Sequence, residues 1–251
     1  MEKNILIAGK DIPFCSDFAQ QLLLSGCNVV AAGKTDSPES SVPSEVKAVS
    51  WNKSSAISAR SVIIQAETLH NFADDAILYF DAPQFVAQFG SLTSDSCAPA
   101  ADAMILGYQY LTIELLNRIE QHKAKSRIIF LLKTCPTTAE TSRSASLKKT
   151  VSSPANAIVA AAEASFATFA ENIAAVTEES QYVSILLVTG NSQNETMQND
   201  RTLAKWLSGY IDALDAKKDA QKSSSWIKAG AKAPAGFALF QAVILRIKDS
   251  R

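Results

Sequence analysis

Six short runs of this chain are almost continuously apolar: "NILIAG" (4–9), "NVVAAG" (28–33), "VKAVSW" (46–51), "AILYF" (76–80), "RIIFLL" (127–132) and "YVSILLV" (182–188). A strand with one face in water alternates apolar and polar residues, whereas a near-continuous run marks a strand covered on both faces. A seventh apolar run is "FALFQAVILRI" (237–247). Longer segments of helical periodicity lie between the runs, at 16–26, 54–68, 101–123, 155–176 and 200–217. Parallel strands need such crossovers. The pattern predicts an α/β fold, a doubly wound parallel sheet of about seven strands with helices on both faces, as a single domain over 1–251.

At 251 residues, 47% hydrophobic and 20% charged, the chain has material for a large core, and disorder is excluded as its default state. A net charge of −1 gives no electrostatic footprint for nucleic acid or an anionic membrane. No run approaches the roughly 18 apolar residues of a membrane helix. The apolar start is too short for a signal peptide and reads as a first strand. Cys15, Cys27, Cys97 and Cys135 are scattered, and only His70 and His122 accompany them. That set predicts no metal site and free thiols in a reducing cytoplasm. Both histidines close helices, and His122 is expected at the surface.

Three polar stretches, 34–45, 134–156 and 190–200, follow the C-terminal ends of strands, where doubly wound sheets place their ligand crevice. The opening stretch "NILIAGKDIPFCSDFAQQLLLSGCNVVAAGK" (4–34) reads as strand, turn, helix, strand. The order and spacing of all these elements resemble the short-chain dehydrogenase/reductase family over nearly the whole chain. The resemblance implies a seven-stranded Rossmann sheet and an NAD(P) cofactor, so each family motif is placed on this sequence in turn.

The family's glycine-rich turn, T-G-x-x-x-G-x-G, falls on "AGKDIPFC". Gly9 is kept, but Pro13 and Cys15 replace the later glycines. A pyrophosphate needs close backbone approach and free N–H donors, and proline has neither an N–H nor a free φ. Pro13 also reads as a first-turn proline of helix 16–26. The family's N-N-A-G becomes "FDAP" (80–83), where Asp81 is either a ribose acceptor or a strand-end cap. Lys34 stands where a basic residue favours the 2′-phosphate of NADP, or is merely solvated. These residues imply no cofactor, with weak NAD(P) binding through Gly9, Lys34 and Asp81 as the residual option.

The family's catalytic Tyr and Lys fall on Val159 and Glu163, and neither can play the tyrosine–lysine role. Its helix-borne Asn falls near Met104, its Ser on Lys133 or Thr134, and its P-G on Thr189-Gly190. The resemblance therefore implies no catalytic residues of the ordinary kind and a non-catalytic protein acting by binding or assembly in a regulatory or structural role. Two alternatives stand beside it: a weak NAD(P)-binding sensor, and an enzyme with rerouted chemistry on Asp81, Lys133, Thr134 and Glu163. The alanine-rich segment 155–176 has small residues on more than one face. It predicts a homodimer or tetramer through helices 101–123 and 155–176, with Ala167 and Phe169 facing outward.

Overall fold

The computed structural model describes residues 2–34, 43–90, 93–135, 154–216 and 225–233. Seven strands form one all-parallel sheet in the order β3-β2-β1-β4-β5-β6-β7. They are β1 (Lys3–Ala8), β2 (Cys27–Gly33), β3 (Lys47–Ser50), β4 (Asp75–Asp81), β5 (Ser126–Thr134), β6 (Val183–Asn191) and β7 (Ile227–Lys228). The first six lie on the six apolar runs. Every residue of β4, the central strand, is buried, as two covered faces require. The seventh strand is short, a two-residue pairing of Ile227 and Lys228 with Val188 and Thr189. The run 237–247 lies outside the described residues.

The helices are α1 (Ser16–Leu24), α2 (Ala56–His70), α3 (Ala82–Gln88), α4 (Cys97–Ala101), α5 (Gly107–His122), α6 (Pro154–Val176) and α7 (Asp200–Asp215). Side-chain caps fix three of the starts, two of them on long helices. Ser55 accepts the Ser58 N–H at 3.2 Å before α2, and Asn199 accepts the Arg201 N–H at 2.8 Å before α7. The helix expected over 101–123 is composite: α4 leads through a π-helical turn, Asp102–Leu106, into α5. The short α3 is an addition, started by the Asp81 carboxylate accepting the Gln84 N–H at 3.2 Å.

Side chains alternate across each strand and build two cores. On one face Phe80 and Phe130 meet Trp51, Tyr108 and Phe166 from the side of α2, α5 and α6. On the other, Tyr79 and Ile129 meet Phe18, Leu203 and Leu207 from α1 and α7. The C-terminal ends of all central strands therefore open along one edge between these helical layers.

Candidate functional site at the C-terminal edge of the sheet

β1 lies between β2 and β4, so the chain winds outward in opposite directions from it. Such a switch point leaves a crevice at the C-terminal strand ends. Around it stand Gly9, Lys10 and Asp11 after β1, Lys34 after β2, Lys53 after β3, Asp81 closing β4, Lys133 and Thr134 closing β5, and Asp200 opening α7.

The crevice is charged and buried. The Lys10 ammonium lies 3.2 Å from an Asp81 oxygen, bonds the Asp200 carboxylate, and sits 4.9 Å over the Tyr79 ring. The Tyr79 hydroxyl donates to Asp200 at 3.2 Å. Lys133 reaches the same Asp81 oxygen at 3.9 Å. Beside this group, Lys53 pairs with Asp11 at 3.1 Å and donates to the Gly9 carbonyl at 3.1 Å. Its stem packs on Gly107, and its ammonium lies over Trp51 and Phe85. Burial lowers the Lys53 pKa, and the Asp11 charge partly opposes that shift. Lysines 10, 53 and 133 thus face aspartates 11, 81 and 200. Removing one partner of such a buried pair strands a charge, which is costly.

Gly9 has a protein-made explanation. Its φ is +111°, and an added Cβ would lie 2.2 Å from the Tyr79 carbonyl oxygen and 2.6 Å from the Tyr108 hydroxyl. The Tyr108 hydroxyl donates to the Tyr79 carbonyl at 2.7 Å in this space. The following turn uses its own amides: Cys15 donates to the Asp11 carbonyl at 3.2 Å and Ser16 to the Pro13 carbonyl at 2.9 Å. Pro13 lies ahead of α1 and not in its first turn, which corrects the helix-starting role expected of it. Lys34 is exposed, and its backbone N–H donates to the Asp11 carboxylate at 3.2 Å.

The helix α6 approaches the end of β5. Val159 is buried in the core between helix and sheet, and Met104 is buried in the same core. One turn after Val159, the Glu163 carboxylate accepts the Cys135 N–H at 3.2 Å. Burial raises the Glu163 pKa, with the Cys135 N–H opposing the shift. Burial, then the charges of Glu163 and Asp81, push the Cys135 thiol up to about 11. Thr134 is half-buried in register with Asn191. His122 is exposed as expected, but His70 is half-buried with its Nε2 unpartnered. Among the described residues no three metal-ligating side chains are grouped to hold an ion, and no helix is long and apolar enough to cross a membrane.

The structure thus gathers Asp81 and Lys133 at one point, with Glu163 and Thr134 at the neighbouring strand end, while Lys34 sits at the β2 side with Asp11. Lys10, Asp11, Lys53, Tyr108 and Asp200 are site residues that motif placement passed over. Lys10 and Asp11 directly follow Gly9, so a charge pair immediately after the first strand was their signal in sequence. Asp200 carries no such signal.

A nicotinamide dinucleotide meets this site on unusual terms. The Cys15 and Ser16 amides are engaged within the first turn and Pro13 has no N–H, so these three positions do not offer the donors of the glycine-rich turn. The cations at the strand ends, Lys10 and Lys133, both face Asp81, and the groups that would meet a dinucleotide there are these lysines for phosphate oxygens and Asp81 and Thr134 for ribose hydroxyls.

No protein-family model and no curated protein sequence matches the chain. Solved structures do. A 3-ketoacyl-(acyl-carrier-protein) reductase from Brucella melitensis, complexed with NADH, superposes with a TM-score of 0.61 at 10% identity, over 90% of this chain and 96% of that one. A short chain dehydrogenase from Mycobacterium smegmatis gives 0.62 at 13%, over 93% and 94%. One from Bacillus anthracis gives 0.59 at 13%, over 90% and 94%. This likeness corrects the expectation of a non-catalytic protein with a regulatory or structural role: the neighbours are a reductase and dehydrogenases, and nothing in the geometry shows a non-catalytic role. Its physical basis had been the lost tyrosine and lysine, yet the crevice retains a dense set of ionisable groups of its own. The chain has the Rossmann fold of the short-chain dehydrogenase/reductase family.

Proposed function

We propose that this protein is an oxidoreductase that binds a nicotinamide dinucleotide in the C-terminal crevice and acts on a carbonyl or alcohol. The observation that carries the reading is the buried cluster of Lys10, Asp81 and Lys133 at the switch point of the sheet. The Brucella neighbour, solved with NADH, supports it. A bound nicotinamide ring would supply the hydride. For the chain's own part, Lys10 and Lys133 hold phosphate or ribose oxygens, and the Glu163 carboxyl lies beside the end of β5. A carboxyl whose pKa is raised by burial is suited to act as a general acid, the task left vacant by Val159. Titration with NADH and NADPH by calorimetry, joined to a nicotinamide absorbance assay over aldehydes, ketones and alcohols, tests this reading. Saturable binding with turnover that Glu163→Gln abolishes supports it; no binding of either dinucleotide refutes it.

The free state of all four cysteines supports a reducing, cytoplasmic setting. Self-association through α5 and α6 remains part of the reading, with a corrected face. Phe169 packs edge-on against Phe130 at 6.2 Å, and Ala167 packs against the same core, so both turn inward. The exposed stripe of α6 is Ala157, Ala161, Ala164 and Thr168, and Ile113 is exposed on α5.

A further inference from the structure

The geometry points to Lys10 as a latch: it ties Asp81 at the end of β4 to Asp200 at the start of α7 and so holds the crevice shut. A phosphate-bearing ligand opens it by drawing Lys10 away from Asp200. The second statement rests on the dinucleotide reading above; the first does not.

Three segments far apart in sequence meet at this one ammonium. Lys10 belongs to the turn after β1, Asp81 to β4, and Asp200 to the helix that follows the polar stretch 190–200. All three side chains are nearly buried, at 9%, 8% and 13% exposure, so the bridge is shielded from solvent at the strand ends rather than on open surface. The two arms are unequal. Asp81 also faces Lys133 and caps α3, so it keeps a cation and a backbone donor when Lys10 moves. Asp200 has Lys10 and the Tyr79 hydroxyl. It is not the cap of α7, because Asn199 supplies that. Asp200 is therefore the arm that releases. A phosphate competes for the same ammonium with an equal or larger negative charge.

The test begins without ligand. Amide hydrogen exchange is compared in wild type, Asp200→Asn and Lys10→Met over residues 9–16, 195–204 and α2. Both variants should show severalfold faster exchange in the first two segments together, with α2 unchanged. Unaltered exchange, faster exchange in one segment alone, or a general rise that includes α2 would each overturn the latch. Lys10→Met leaves the Asp200 carboxylate without its cation, so Asp200→Asn is the decisive variant should the other fail to fold. Titration with NADH, NADPH and ADP-ribose then follows. Loss of the competing carboxylate in Asp200→Asn should tighten binding about tenfold, as one charge-assisted contact implies. Lys10→Met should weaken it. Weaker binding by Asp200→Asn would overturn the competition. Joint loosening with no binding of any titrant would leave the closed crevice standing and remove the dinucleotide reading.

Discussion

Asp75 and Arg127 face each other in register at the N-terminal edge of the sheet, one on β4 and one on β5, with Oδ1 and Nη1 2.9 Å apart. Burial pushes the Asp75 carboxyl up to about 6, against the pull of Arg127 and Lys3. The folded protein therefore binds this proton more tightly than the unfolded chain. Its contribution is fully present below pH 3.8 and is lost as pH rises through about 6. The shift corresponds to about 3 kcal/mol. Glu163 acts in the same direction. Burial raises the Asp215 pKa, but hydrogen bonds from Lys3 and Arg127 outweigh it and hold the carboxyl low. Asp215 thus loses its contribution as pH falls below the ordinary carboxylate range. Thermal stability should peak in mild acid and decline toward neutral pH, and Asp75→Asn should flatten that decline. Equal slopes for wild type and variant in a pH series of melting curves would count against this account.

Phe166 is the hub of the aromatic core, with ring centroids 5.1 Å from Phe80, 5.0 Å from Tyr108 and 5.6 Å from Phe130. Replacing it with alanine opens a cavity under α6. Phe166→Ala should cost about 3–5 kcal/mol in denaturant unfolding. A loss below about 1 kcal/mol would mean that α6 collapses into the gap.

Gly9→Ala should be poorly tolerated, because its methyl group meets backbone oxygen at 2.2 Å and its φ of +111° strains any side chain. Tyr108→Phe in the same background removes the hydroxyl but not the Tyr79 carbonyl, so it should restore little. Expression level and melting temperature of the single and double variants decide this.

Asn199→Ala removes the acceptor for the N–H groups of Arg201 and Thr202. It should cost about 1 kcal/mol by equilibrium unfolding. The cap is a fold device, so an unchanged stability would show that α7 is held chiefly by its ion pairs.

Assembly through α6 is tested by Ala164→Arg, on the exposed stripe. If α5 and α6 form a two-fold contact, wild type should elute as a dimer or tetramer in light scattering coupled to size exclusion, and the variant as a monomer. A monomeric wild type would refute the contact. Phe169→Glu is the contrasting control, because a carboxylate set against Phe130 should lower stability whatever the assembly state.

The central sheet was legible because burial on both faces writes itself as uninterrupted apolar runs. The first six strands fall where those runs stand, displaced by no more than three residues at either end. What escaped was short or cooperative. The helix α3 depends on a carboxylate cap and spans seven residues, too few for a periodic signal. The strand β7 has two residues and exists only by pairing with β6. In the site, Asp81 and Glu163 could be placed by motif position. The partners that define their chemistry come from elsewhere in the chain: Lys10 meets an aspartate 190 residues away. Pairing at that separation follows from the fold, and no local pattern announces it.

The contact between Gly9 and Tyr108 bears on how this chain can diverge. A glycine at the end of a first strand is commonly taken as an inherited trace of phosphate recognition. Here its neighbour is a phenol from α5, so the selective pressure on the glycine comes from the protein's own interior. Among descendants of this sequence, position 9 should stay frozen whatever occupies position 108, because the Tyr79 backbone oxygen and the positive φ exclude a side chain there.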